Sequence, residues 1–97
     1  MQGYISVDVN IKDMDGFMEY ASRIPEFIEK HGGRYIVKGA EPKVIRESEG
    51  VPQYLVIIEF PSAEIADNFI KERADAGLSE LFNRSTEGRI LRVEGCI

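Results

Sequence analysis

Ninety-seven residues, 43% hydrophobic and 30% charged, describe one ordinary globular domain and exclude a disordered chain. A net charge of −5 and a pI near 4.9 argue against a phosphate-binding surface, so nucleic acid is not expected as a partner. The basic pairs Lys71 with Arg73 and Arg89 with Arg92 each have acidic neighbours and read as solvated faces.

The opening MQGYISVDVNI has no basic n-region and alternates too strictly for a signal peptide. Ile5, Val7, Val9 and Ile11 fall on one side of Tyr4 to Ile11, with Ser6, Asp8 and Asn10 on the other, which predicts a strand with one apolar face. Asp13 then offers an N-cap, with Asp15 in the first turn of a helix. That helix carries a stripe of Phe17, Tyr20, Ala21, Ile24, Phe27 and Ile28, and Pro25 inside it is expected to kink it or split it near Arg23. Gly32 and Gly33 end it, one of them left-handed.

A second strand is predicted over Arg34 to Lys38. Gly39 to Gln53 reads as irregular and charged, with a short strand at Lys43 to Arg46 and a turn at Glu49-Gly50-Val51-Pro52. Tyr54 to Phe60 is the longest apolar run; Pro61 stops it, and Ser62 caps a helix to Ala74 that buries Ile65, Ala66, Phe69 and Ile70. A further helical turn or two covers Leu78 to Asn83, and the last strand is Arg89 to Glu94. No apolar run approaches the ~20 residues of a membrane span, so no membrane partner is expected. Cys96 has no second cysteine to pair with, and a reducing cytoplasm is the simplest compartment.

The order β-α-β-β-α-β is the split βαβ, or ferredoxin-like, pattern of an α+β fold. Right-handed crossovers place the first strand and Tyr54–Phe60 at the centre of a four-stranded antiparallel sheet, with the helices on one face. The Tyr54–Phe60 strand is apolar on both sides: Tyr54, Val56, Ile58 and Phe60 point one way, and Leu55, Ile57 and Glu59 the other. Two helices cover one face, so the other expects a second copy of the chain, sheet against sheet. A homodimer through the sheet face follows as an expectation.

HGGRYIVKG at His31 to Gly39, EFPS at Glu59 to Ser62 and VEG at Val93 to Gly95 stand in an order and spacing that resembles the domain-of-unknown-function family 1330 (DUF 1330). These are small bacterial proteins of the dimeric α+β barrel superfamily. The resemblance runs from Gly3-Tyr4 to Gly95 and includes the proline within the first helix. One departure stands out: where the family often carries Ser-Pro-Glu-Tyr after the second helix, this chain has Lys71-Glu72-Arg73-Ala74-Asp75. The resemblance implies the fold and a dimer. It assigns no activity, although the superfamily includes cofactor-independent oxygenases, isomerases and decarboxylases acting on small compounds.

His31 is the sole histidine, placed at a helix end where it serves as a C-cap or a general base. Without cysteine, histidine or carboxylate at ligand spacing it makes no metal site, and no cofactor is called for. Glu59 shares a strand face with Leu55 and Ile57. A carboxylate there acts as an acid or base at a pocket mouth, pairs with Arg34 or Arg84, or reaches water at the strand end. Arg34 suits a bidentate clamp on a carboxylate ligand. Tyr4, Tyr20, Tyr35 and Tyr54 offer hydroxyls among apolar surface, for orienting a ligand or for packing. The resemblance adds Arg84, with Ser85 in the turn before the last strand, as a ligand anchor or a loop-fixing residue.

Two functions remain open. One is a small-molecule site, binding or catalytic, in the cleft between sheet and helices, with Glu59 or His31 as proton shuttle, Arg34 as anion clamp, tyrosines such as Tyr4 and Tyr20 shaping it, and Arg84 as a ligand anchor. The other is a non-catalytic homodimeric structural or protein-interaction module. Convergence of Glu59, Arg34 and His31 on one cavity separates them.

Overall fold

Strand β1 (Gly3–Ile11) leads into helix α1 (Met14–Lys30), and strands β2 (Arg34–Ala40) and β3 (Tyr54–Phe60) follow. Helices α2 (Ala63–Asp75) and α3 (Leu78–Ser85) then lead to strand β4 (Thr86–Glu94). The computed structural model describes residues 1–46 and 54–97. The strands make one antiparallel sheet in the order β2-β3-β1-β4, with β1 and β3 at its centre, which is the ferredoxin-like α+β arrangement read from the sequence.

Local chemistry sets the element ends. Asp13 accepts the Gly16 N–H at 3.3 Å to cap α1, and Ser62 accepts the Ile65 N–H at 3.1 Å to cap α2. At the other end of α1, Gly32 takes φ 72°, its N–H reaches the Glu29 carbonyl, and the Gly33 N–H reaches that of Ile28. This pair of bonds is a Schellman closure, which needs the left-handed residue that glycine supplies at little cost.

The strand pairing sorts side chains between two faces. Ile5, Val56, Ile58 and Phe60 turn toward the helices and bury against Ile24 and Ile28 of α1, Ala66 and Phe69 of α2, and Leu78 and Leu81 of α3, while Val9 packs with Phe17 of α1 and Phe82 of α3. The opposite face carries Tyr4, Ser6 and Asp8 of β1, Leu55, Ile57 and Glu59 of β3, and Arg89, Leu91 and Val93 of β4. Leu91 and Val93 are 45% and 50% exposed there. The molecule is accordingly a slab, 33 × 32 × 16 Å, with helices on one side. No helix among the described residues is long and apolar enough to cross a membrane.

Four expectations need correction. Helix α1 is a single helix through Pro25, which is exposed, so the split expected near Arg23 does not occur. The bond that proline deletes, to the Ala21 carbonyl, is lost on the wet side, while Ile24 and Ile28 anchor both flanking turns in the core. No strand forms at Lys43 to Arg46, where Val44 is 47% and Ile45 86% exposed; the segment follows Pro42 and lacks the period of two that would bury one side. Arg84-Ser85 lies in the last turn of α3 rather than in a turn, because α3 passes directly into β4, which begins at Thr86 and not Arg89. Arg73, read as solvated, is 4% exposed. It follows Ala66 and Phe69 at i+7 and i+4, on the buried stripe of α2, whereas Lys71 is exposed as expected. The expected turn at 49–52 lies outside the described residues.

Candidate functional site

Beneath α1, between that helix, the sheet and α3, lies a cavity of about 120 Å³. Val7, Ala21, Ile24, Val56 and Ile58 give it apolar walls; Phe17 and Phe82 add rings; Tyr20, Tyr35, Tyr54 and Lys38 bring the polar atoms. The spacing of α1 places Phe17, Tyr20, Ala21, Ile24 and Ile28 on one stripe above the sheet. Aromatic contacts hold the walls: Phe17 meets Tyr54 edge-on at 5.1 Å, and Tyr20 meets Phe82 at 4.7 Å between ring centroids. Gly39, at φ 70° beside a register shift in β2, lets the Tyr54 ring lie against the strand backbone. A β-carbon there would come within 2.7 Å of that ring.

Electrostatically the cavity is bordered by cations. Lys38 Nζ sits 4.8 Å over the Tyr35 ring. Arg73 lies behind Tyr20, donating from Nε to the Tyr20 hydroxyl oxygen at 2.8 Å. Burial pushes the Tyr35 hydroxyl up to about 12 and raises that of Tyr20, where Arg73 opposes the shift. Both therefore stay neutral phenols at physiological pH. No aspartate or glutamate is among the lining residues.

The residues singled out from the sequence divide into four places. Tyr20 is in the cavity, as are Tyr35 and Tyr54. Glu59, Arg34 and Tyr4 meet on the opposite face of the sheet: Arg34 donates from Nε to Glu59 Oε1 at 2.9 Å, and the Tyr4 hydroxyl donates to Oε2 at 3.0 Å. That bond to Glu59 is the main reason the Tyr4 hydroxyl titrates above its ordinary value. His31 caps α1, with Nδ1 2.8 Å from the Phe27 carbonyl and Nε2 3.0 Å from Glu72 Oε2. Both partners are acceptors, so each of these bonds needs a hydrogen on the ring nitrogen that makes it. Arg84 is exposed at the end of α3. Glu59 and Arg34 thus converge with Tyr4, while His31 pairs elsewhere.

Lys38, Arg73, Phe17 and Phe82 were not singled out. Arg73 carried one legible signal, a charge on an apolar helical stripe. A second depression, about 380 Å³, lies where α3 enters β4, but Glu87, Gly88 and Arg89 on its rim are exposed and bring no convergent polar group. Among the described residues no cluster of histidine, cysteine and carboxylate side chains has the makings of a metal site.

A ferredoxin-like sheet with a cavity under its first helix defines a small α+β domain. Within that class, the chain belongs to the family described as domain of unknown function (DUF1330), whose model matches residues 2–96. Its fold is similar to that of RPA0582, a protein of unknown function from Rhodopseudomonas palustris solved as a structural genomics target. The TM-score is 0.77 at 12% identity, over 99% of this chain and 83% of that one. The methylated RPA0582 protein gives 0.75 at 12% identity, over 99% and 82%. No curated protein matches the chain. The family and these structural neighbours indicate no specific function.

Proposed function

We propose that this protein is a cytoplasmic homodimer that binds a small organic molecule in the cavity beneath α1. The cavity itself carries the reading: apolar walls with a few converging hydroxyls and one ammonium are the composition of a small-ligand site. Its volume of about 120 Å³ approaches the ~150 Å³ of a cavity that accepts benzene, so a single ring or a short branched chain fits. Tyr20 is the binding residue carried over from the sequence reading. The expected proton shuttles, Glu59 and His31, do not line this cavity, which favours binding over catalysis.

The dimer follows from the uncovered face. Leu55, Ile57, Leu91 and Val93 share it with two ion pairs, Arg34–Glu59 and Asp8–Arg89, each neutral within one chain. A self-neutralised apolar face suits a second copy better than a charged partner. The non-catalytic interaction module remains the second reading, favoured by the engagement of Glu59 with Arg34 and Tyr4.

A thermal-shift screen against a metabolite library tests the binding reading, with Ala21→Leu as the control that fills the cavity. A ligand at a hundredfold excess over its Kd contributes about 2.7 kcal/mol, or roughly 10 °C for a domain of this size. The expected result is a ligand that stabilises the wild type and not Ala21→Leu. A library without stabilising compounds, or equal shifts in both proteins, overturns the site.

A further inference from the structure

Arg73 is a buried cation whose hydrogen bonding the fold leaves incomplete. Its guanidinium carbon lies 5.5 Å from the Tyr20 ring centroid and 5.3 Å from that of Phe82, and both rings are cavity walls. Nε is spent on the Tyr20 hydroxyl oxygen, but Nη2 is buried without an acceptor. No carboxylate pairs with Arg73 among the described residues. A charge removed from water without a counter-ion is costly, and the two ring faces offset only part of that cost.

The hydrogen bond also has a direction. Tyr20 accepts from Arg73, so its own hydroxyl hydrogen is left to donate, and a cationic donor behind it makes it a stronger one. Burial keeps Tyr20 protonated and able to donate. Lys38, which lines the cavity, and Arg73, behind its Tyr20 and Phe82 walls, are both positive in a chain whose net charge is −5.

We propose that the cavity selects a small monocarboxylate, hydrogen-bonded by the Tyr20 hydroxyl, with Arg73 behind it as positioning residue and counter-charge and Lys38 at the rim. This rests on the reading of the cavity as a ligand site. The acid supplies the negative charge that the cavity lacks, and its hydrocarbon part covers the walls formed by Val7, Val56 and Ile58.

Matched acid and amide pairs separate charge from shape. Titration calorimetry of the full chain at pH 7 with 2-methylpropanoate, benzoate, 2-methylpropanamide and benzamide gives the affinity ratio within each pair. Each acid is expected to bind at least about tenfold more tightly than its amide, a difference of roughly 1.4 kcal/mol. In Arg73→Met and Tyr20→Phe the ratio should collapse toward one, and Arg73→Lys should restore part of it. Where Arg73→Met fails to fold, Tyr20→Phe and Arg73→Lys decide alone. Equal binding of acid and amide by the wild type overturns the anion proposal and leaves the cavity reading standing. An undiminished acid preference in Tyr20→Phe, or in Arg73→Met where it folds, overturns it as well, as does failure of all four probes to bind; the cavity reading is then judged by the library screen with its Ala21→Leu control.

Discussion

Tyr35 faces the cavity with its hydroxyl pushed up to about 12 by burial, and that shift reaches beyond the site. Unfolded tyrosine titrates near ~10, so between those values the folded chain holds a proton that the unfolded chain has lost. Tyr35 therefore favours the fold fully below pH ~10, and that advantage is lost as pH rises through about 12. An absorbance titration of the 4 tyrosines should be incomplete at pH 11, and Tyr35→Phe should remove its last step; uniform ionisation near pH ~10 would contradict the burial. Arg73 makes a second residue-scale case. Replacing a buried, incompletely satisfied charge by an apolar chain of similar length is often neutral or stabilising, so Arg73→Met should hold stability within about 1 kcal/mol or raise it. Phe69→Ala, on the same stripe, should cost about 3–5 kcal/mol in denaturant unfolding. Arg73 was misread because charge outweighed position: its spacing from Ala66 and Phe69 announced burial, but its side chain announced water. The partner that makes burial tolerable, Tyr20, lies 53 residues away, beyond any local pattern.

At the level of elements, α1 and α2 are tied at their ends by Glu72, which takes Lys30 Nζ at 2.6 Å on one oxygen and His31 Nε2 at 3.0 Å on the other. The hydrogen bond from Lys30, with the nearby His31, holds the Glu72 carboxyl below its ordinary value against the opposing effect of burial. A depressed carboxylate stabilises the fold above its unfolded value and ceases to as pH falls through the folded one. Glu72→Gln should thus lower the melting temperature at pH 7 and have less effect at pH 3. An equal loss at both would mean that packing, not charge, carries the tie. Element limits were legible wherever a residue type has one mechanical meaning: Asp13 and Ser62 as caps, Gly32 as a left-handed end. Pro25 was not, because a proline inside a helix breaks it only when neighbouring turns lack anchors, and burial of Ile24 and Ile28 is a tertiary fact.

The whole molecule is a one-sided sandwich, and both halves of the proposed function rest on that shape. The period of two in β1 and the two-sided β3 made the sheet, its order and its uncovered face readable in advance. A cleft between sheet and helices was readable, but most of its lining was not, because it forms from chain positions as distant as Val7, Lys38 and Phe82 and depends on how side chains fill space. Sheet-to-sheet pairing predicts a particle of about 22 kDa, two chains of 11.0 kDa, in light scattering at micromolar concentration. Leu91→Glu, on the exposed face, should shift it toward the monomer; a wild-type mass of 11.0 kDa would contradict the pairing. The central claim, a ligand site under α1, is tested most directly by amide chemical-shift mapping with the strongest stabiliser from the metabolite library. Perturbations should cluster on Val7, Tyr20, Ala21, Tyr54 and Phe82. Shifts confined to Tyr4, Arg34 and Glu59 on the opposite face, or no saturable shifts at all, would contradict it.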